Sequence, residues 1–304
     1  MRETKYTLSI CLVTMNRAAQ LREALQSCLF CELPKETEFV IIDNASTDNT
    51  EEIVKATLQE SGYAYYYEKL PGNLGVGGGR NYAYAKANGE FVYMLDDDAV
   101  IDFESTPDFF LRAVSMMEEN PAIVTLTTQI YDTAWQENRL QIKGTPVAKD
   151  LYSCQMFCGG SHFLKTSFFE EPPYLSNKYG YEELPPSLRV MDAGRQNAFC
   201  PTLLIIHKPT INKWDWNDEK NHGLLIKGIA TPYALKRMMY PRVFAPLLWL
   251  TMRLRAKKHA GGILHAKKRI QKEAKEIFKG YPAQRRIKFL TVCRMAKEFK
   301  LSAF

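Results

Sequence analysis

The sequence has no apolar run long enough to cross a bilayer as a helix. Its longest strongly hydrophobic stretch, 243–254, is interrupted by Pro246 and Arg253 and falls far short of the roughly 20 residues a span requires. Cysteine is too sparse to staple a scaffold: the seven residues Cys11, Cys28, Cys31, Cys154, Cys158, Cys200 and Cys293 form an odd, scattered set. Cys28 and Cys31 have the spacing of half a zinc site, but the other half is missing, which favours buried thiols over structural zinc. With no secretory leader ahead of them, these cysteines fit a reducing cytoplasm.

A large excess of one charge is also missing from most of the chain. The formal net charge is +6 over 304 residues, yet Lys and Arg crowd into residues 236–300. That run includes Arg253, Arg255, Lys257, Lys258, Lys267, Lys268, Arg269, Arg285 and Arg286. Such a tail suits nucleic acid, an anionic membrane or simple solvation. Residues 240–254 mix apolar and aromatic side chains with Arg, and 263–278 alternate basic and apolar residues at helical spacing, which fits an amphipathic helix on anionic lipid. No nucleic-acid recognition motif accompanies the charge, so no nucleic acid is expected as a partner.

What is present is material for a substantial core: 46% of residues are hydrophobic and 24% charged. Short apolar runs at 7–13, 38–42, 63–68 and 91–95 alternate with segments of helical spacing, the pattern of β-α repeats on an open parallel sheet. Further on, helices are expected near 108–119, 165–169 and 182–193, and strands near 123–128, 156–158 and 202–207. From about 230 the chain reads as helical and basic. This gives an α/β domain over 1–230, with a ligand-binding half at 1–100 and a second half at 101–230, followed by a helical appendage at 231–304.

In open sheets of this kind ligands bind at the carboxyl ends of the strands. Thr14, Asp43 and the triplet Asp96-Asp97-Asp98 all fall there. Three adjacent carboxylates repel one another unless they share a cation, so a hard divalent ion is the natural partner. In an extended triplet Asp96 and Asp98 face the same way and Asp97 points elsewhere. Asp43 can accept the imino hydrogen of a pyrimidine. The segment Gly72-Asn73-Leu74-Gly75-Val76-Gly77-Gly78-Gly79-Arg80-Asn81 is a glycine-rich loop opening a helix, where amides and the Arg80 guanidinium can face a diphosphate. It lacks the Lys-Ser/Thr pair of nucleotide triphosphatases.

Taken together, these motifs resemble the inverting glycosyltransferases of family 2, which have the GT-A fold, over roughly residues 6–230. The residues that carry the likeness are Ile10 through Arg17, Ile42-Asp43-Asn44-Ala45-Ser46-Thr47-Asp48, Asn73-Leu74-Gly75 through Arg80-Asn81, and Gly89-Glu90 through Asp98. The resemblance implies a Rossmann-like, mostly parallel central sheet flanked by helices. It also implies donor contacts from Thr14, Asn16, Arg17, Asp43, Asn44, Asn73, Arg80, Asp96 and Asp97. A divalent metal, Mn2+ or Mg2+, would be held by Asp96 and Asp98, with His207 similar to a histidine that completes such sites.

Tyr181-Glu182-Glu183-Leu184-Pro185-Pro186-Ser187-Leu188-Arg189 is similar to the family's acidic pair, which makes Glu183 the expected catalytic base. Here Glu stands where Asp is commoner. Cys158-Gly159-Gly160-Ser161 looks like the small-residue loop that passes close to donor and acceptor. Tyr174, Tyr179, Tyr181, Trp214 and Trp216 lie on the proposed acceptor side.

The implied activity is transfer of a sugar from a UDP- or dTDP-linked donor to a glycan or lipid-linked acceptor in surface polysaccharide or glycolipid synthesis. The implied location is cytoplasmic, peripheral at the inner face of the plasma membrane. Two alternatives share most of these residues. A nucleotidyltransferase would carry a basic glycine-rich loop after the first strand, where this chain has Thr14 and Asn16. A non-catalytic sugar-nucleotide-binding protein would bind donor without transfer.

Overall fold

The computed structural model describes residues 4–176, 180–209, 219–281 and 283–304; Tyr179, Trp214 and Trp216 lie outside them. The chain forms two compact units, Met1–Pro186 with Arg195–Asn212, and Ser187–Gly194 with Lys213–Phe304.

The first unit opens with β1 (Tyr6–Thr14), α1 (Ala18–Leu29), β2 (Thr37–Asp43), α2 (Thr50–Leu58), β3 (Ala64–Lys69), α3 (Gly75–Lys86) and β4 (Gly89–Asp96). There follow β5 (Ala99–Ile101), α4 (Phe109–Glu119), β6 (Ile123–Asp132), β7 (Glu137–Asn138), β8 (Pro146–Ala148), β9 (Leu151–Ser153) and β10 (Ser161–Lys165). Next come α5 (Leu184–Asp192), whose end belongs to the second unit, and β11 (Gln196–His207), which belongs to the first. The strands make one sheet in the order β3-β2-β1-β4-β10-β6-β11-β9-β8.

The first four strands in that order are parallel, as their apolar runs predict. β10 then runs antiparallel to both β4 and β6, and β11 is parallel to β6. Register brings the rim residues level: Thr14 faces Asp43, Val13 faces Asp96, and His207 faces Asp132.

Alternation along the strands splits the packing between two faces. Leu8, Ile10, Leu12, Phe39, Ile41, Phe91 and Tyr93 share one buried core with Leu21, Leu25, Phe109 and Phe110 of α1 and α4. The rings of Tyr93, Phe109, Phe110 and Phe163 meet there at centroid separations of 4.4–6.2 Å, within the range of favourable aromatic pairs. α3 packs on the opposite face, where a Cβ on Gly79 would lie 2.5 Å from Val13. Only a glycine admits that approach.

Three sequence expectations are corrected. The segment 156–158 is not a strand; the strand is β10, at Ser161–Lys165. The segment expected as a helix over 165–169 is that strand's last residue and a turn. α3 begins at Gly75 rather than Arg80, so most of the glycine-rich loop is helix.

The second unit contains α6 (Glu219–Met239), a short turn at Arg242–Phe244, α7 (Ala245–Ala260), α8 (Ala266–Gly280) and α9 (Phe289–Phe299). Its core pairs Ile226, Ile229 and Ile270 with Ala230, Ala234, Ala256, Ala260 and Ala274, small residues that let helix backbones approach. No helix among the described residues is long and apolar enough to cross a membrane.

Candidate active site

The rim of the first unit gathers carboxylates at strand ends. Asp96 ends β4, and Asp97 and Asp98 follow in the turn into β5. Asp98 and His207 are brought together because β5 pairs with the end of β11, where His207 faces Ala99. One ligand atom from each of Asp96, Asp98 and His207 lies within 4.8 Å of the others. Two carboxylate oxygens and an imidazole nitrogen form a donor set that suits Mn2+ well and Mg2+ through its oxygens. The residues therefore fit a divalent ion.

Each member of this trio is held from behind. His207 Nε2 lies 3.3 Å from Asp98 Oδ1, and its Nδ1 lies 3.1 Å from Asp132 Oδ2. A carboxylate behind the distal nitrogen fixes ring orientation and tautomer in metal-binding histidines. Burial works to lower the His207 pKa, but the Asp98 hydrogen bond and charge outweigh it and hold the imidazole above its ordinary value. Asp98 is held below the usual carboxylate range, since His207 and Arg17 outweigh its burial.

Asp97 points away, as the alternation predicts. Its Oδ2 accepts the Thr14 hydroxyl at 2.7 Å, and its Oδ1 accepts Arg17 Nη1 at 2.8 Å. Burial pushes Asp97 up to about 6 despite Arg17 and Thr14. The same Arg17 nitrogen reaches Asp98 Oδ2 at 2.7 Å, so Thr14 and Arg17 brace the acidic turn.

A second cluster centres on Arg80, whose side chain lies buried rather than facing outward from the loop. Nη1 donates to Glu182 Oε1 at 2.7 Å and to Glu183 Oε1 at 2.9 Å, while Nη2 donates to Asp96 Oδ1 at 2.7 Å. One guanidinium thus ties the expected base to a metal-trio residue about 87 positions away in sequence. Burial, then the neighbouring Glu182 charge, raises Glu183 well above the usual carboxylate range against the pull of Arg80. Glu182 Oε2 is buried without a hydrogen-bond partner.

Gly159 and Gly160 pass directly over these groups. A Cβ on Gly159 would lie 1.8 Å from Glu183 Oε1 and 2.6 Å from Arg80 Nη1, and one on Gly160 would lie 3.2 Å from Asp96 Oδ2. Tyr181 and Gly180, just before the acidic pair, both have positive φ. Pro185 and Pro186 occupy the first turn of α5, where a missing N–H costs nothing.

The remaining expected donor residues shape the loops. Asp43 Oδ1 accepts the Ser46 N–H at 2.7 Å, and its Oδ2 accepts the Tyr67 hydroxyl at 2.9 Å. Burial and that hydrogen bond raise the Tyr67 pKa, keeping the phenol protonated. Asn16, in the left-handed region, donates its N–H to Ser46 and accepts the Thr47 N–H. Asn44 and Asn73 hold the entry to α3, Asn44 through Leu74 and Gly75 and Asn73 through the Gly75 N–H. A cavity of about 600 Å³ lies alongside, lined by Glu68, Leu70, Pro71, Gly72, Asn73, Leu74 and Tyr82.

Sequence reasoning missed Asp132, Arg139 and the pairing role of Glu182. Arg139 Nε donates to Asp132 Oδ2 at 2.7 Å. With several backbone and side-chain donors on it, Asp132 is held below its ordinary pKa in spite of burial. The usable signal was its place at the end of a buried strand, the same signal that marked Asp43 and Asp96.

Comparison with known proteins agrees with this geometry. The family model for "Glycosyl transferase family 2" matches residues 9–171. An uncharacterized glycosyltransferase of Mycoplasma pneumoniae is 27% identical over 187 residues, 58% of this chain and 60% of that one. A poly-beta-1,6-N-acetyl-D-glucosamine synthase of Staphylococcus epidermidis is 29% identical over 120 residues, 40% of this chain and 27% of its own. The match thus spans less than two thirds of either relative's length. Among solved structures, a mannosyltransferase from Pyrobaculum calidifontis in complex with GDP-Man and Mn2+ superposes with a TM-score of 0.58 at 15% identity. That superposition covers 100% of this chain and 79% of the other, and it establishes the shared GT-A fold.

Proposed function

The chain belongs to glycosyl transferase family 2, and from that membership we propose that it is an inverting, metal-dependent enzyme moving a sugar from a UDP- or dTDP-linked donor to an acceptor hydroxyl. The observation that carries this reading is the Arg80 bridge, which sets the buried Glu183 carboxylate beside the Asp96, Asp98 and His207 trio.

Glu183 takes the proton of the acceptor hydroxyl as its oxygen attacks the anomeric carbon, opposite the departing diphosphate. Its raised proton affinity suits that task, since a base works best with a pKa near the working pH. Arg80 fixes the carboxylate's direction. Asp96, Asp98 and His207 would hold the divalent ion, Mn2+ or Mg2+, which would supply positive charge toward the nucleotide diphosphate. Thr14 and Arg17 keep Asp97 and Asp98 in place, and Asp43, with Asn16, Asn44 and Asn73 on the neighbouring loops, receives the pyrimidine nucleoside. Gly159 and Gly160 leave room for donor and acceptor to meet.

The acceptor is a glycan or a lipid-linked sugar of surface polysaccharide or glycolipid synthesis. The basic C-terminal helices meet the membrane, which places the enzyme peripherally at the cytoplasmic face.

The test is release of nucleotide diphosphate from a panel of nucleotide sugars, with and without Mn2+ or Mg2+. Turnover should require the ion and fall at least about a hundredfold in Asp98→Ala. Normal turnover by that variant would overturn the assignment.

A further inference from the structure

A smaller cavity lies wholly within the second unit. It has a volume of about 190 Å³ and is lined by Arg237, Tyr240, Pro241, Arg242, Ala245, Leu248 and Arg286. Three arginines therefore line one recess whose other lining residues are largely apolar. Among the described residues no carboxylate lies within ion-pair distance of Arg237, Arg242 or Arg286.

Arg286 is partly spent inside the fold. Its Nη1 donates to the carbonyls of Arg237 and Tyr240, where it complements the negative end of α6. That arrangement fixes the guanidinium against the recess and leaves Nε and Nη2 for another acceptor. Arg237 comes from the last turn of α6, and Arg242 opens the short turn before α7. Clustered arginines without carboxylate partners, one of them fixed by backbone carbonyls, match the planar, multidentate recognition of phosphate.

The surroundings identify what carries the phosphate. Val243, directly after Arg242, is 67% exposed, and α7 continues with exposed Trp249, Leu250 and Leu254. Phe244 stacks on Phe289 at 5.2 Å, and Phe289 and Leu290 are themselves exposed. The Arg253 guanidinium sits 4.4 Å over the Trp249 ring. Exposed apolar side chains close in sequence to these arginines, Val243 after Arg242 and Phe289 three residues after Arg286, are poorly suited to a free, fully hydrated anion. They suit a headgroup whose other end is hydrocarbon.

We propose that this recess binds the phosphate of a lipid, with the phosphate against Arg237, Arg242 and Arg286 and the chain beside Val243 and Phe289. The proposal rests on the reading that the C-terminal helices meet lipid. It is independent of glycosyl transfer, so it is tested without donor or metal.

The 304-residue chain is sedimented at physiological salt with three vesicle types: phosphatidylcholine alone, three parts phosphatidylcholine to one of phosphatidylglycerol, and phosphatidylcholine containing farnesyl diphosphate. The variants are Arg237→Gln with Arg242→Gln, and Lys267→Gln with Lys268→Gln on exposed positions of α8, which lose equal charge. The arginine pair should weaken binding about tenfold or more, and the lysine pair no more than about threefold. Binding to phosphatidylglycerol vesicles assigns a bilayer phospholipid, and binding only with farnesyl diphosphate assigns a prenyl diphosphate. Either result supports the site.

Equal loss in both pairs, or no vesicle binding by the parent chain, overturns the proposal. So does inorganic pyrophosphate shifting the melting temperature through these arginines while vesicles do not bind. If the double variant fails to fold, Arg242→Gln alone decides, since Arg242 is exposed; parent-like vesicle binding by it then overturns the site.

Discussion

Replacing Arg80 with methionine tests whether the buried bridge organises the site. The side chain is 5% exposed and lies within 2.9 Å of three carboxylates. Two unit charges about 4 Å apart attract by about 4 kcal/mol at an effective dielectric of about 20, and Asp96, at 33% exposure, contributes less than Glu182 and Glu183. Desolvation offsets much of that gross attraction while the bridge is intact. Once the cation is gone two carboxylates remain buried without it, and breaking such a pair costs about 3–5 kcal/mol.

The same reasoning fixes the pH dependence. Unpaired buried carboxylates have raised pKa values, so in the variant the native state holds protons that the unfolded state has released. Stability then falls as pH rises from the ordinary carboxylate range through those raised values. Urea unfolding should therefore show a penalty of about 3–5 kcal/mol at pH 8, smaller by at least about 1 kcal/mol at pH 5. Arg80→Lys, which keeps the charge but loses the fork, should fall between. A penalty below about 1 kcal/mol, or one that does not change with pH, would refute the reasoning.

Three further outcomes follow from other groups. If Glu183 is the base, kcat/KM should rise with pH along a limb displaced well above the ordinary glutamate value of 4.5, and Glu183→Gln should abolish that limb while donor affinity holds. A limb at the ordinary value argues for another base. Asp132→Asn should weaken Mn2+ binding about 10–100-fold by calorimetry, because it removes the charge that orients His207; unchanged affinity would refute that orienting role. Burial, aided by the Arg255 charge, lowers Lys236 from 10.5 to about 7. The unfolded state then binds more protons between those values, so this group's contribution improves as pH rises from 7 to 10.5. Lys236→Met should stabilise by on the order of 2 kcal/mol at pH 6 and by much less at pH 10; an equal gain at both would show that packing, not charge, is responsible.

The first four parallel strands are legible in the sequence because they read as apolar runs ending in polar residues. Thr14, Asp43 and Asp96 could therefore be placed on one rim. β6 was read four residues short because Thr127, Thr128 and Gln129 interrupt its pattern. Those side chains are buried but internally satisfied, with Thr127 donating to the Ser161 carbonyl and Gln129 to that of Leu140. The short read hid Asp132 at the true strand end.

α3 was placed late because five of its first turns' residues, Gly75 and Val76 through Gly79, have little intrinsic helical preference. Close packing on Val13 and the Asn44 contacts impose the helix instead. The sequence marks Arg80 as a donor contact, and its carboxylate partners are not legible there. Its partners Glu182 and Glu183 lie 102 and 103 residues away, and no local pattern reports such a contact.

Because β10 runs antiparallel to β6, the segment between them begins and ends at neighbouring positions: β6 ends at Asp132 and β10 begins at Ser161 beside it. The intervening stretch starts and ends side by side but is stitched back into the same sheet, β7 against β6 and β9 against β11, so a change of length is confined to the turns between these short strands. Such a change leaves the parallel strands that carry Thr14, Asp43 and Asp96 in register.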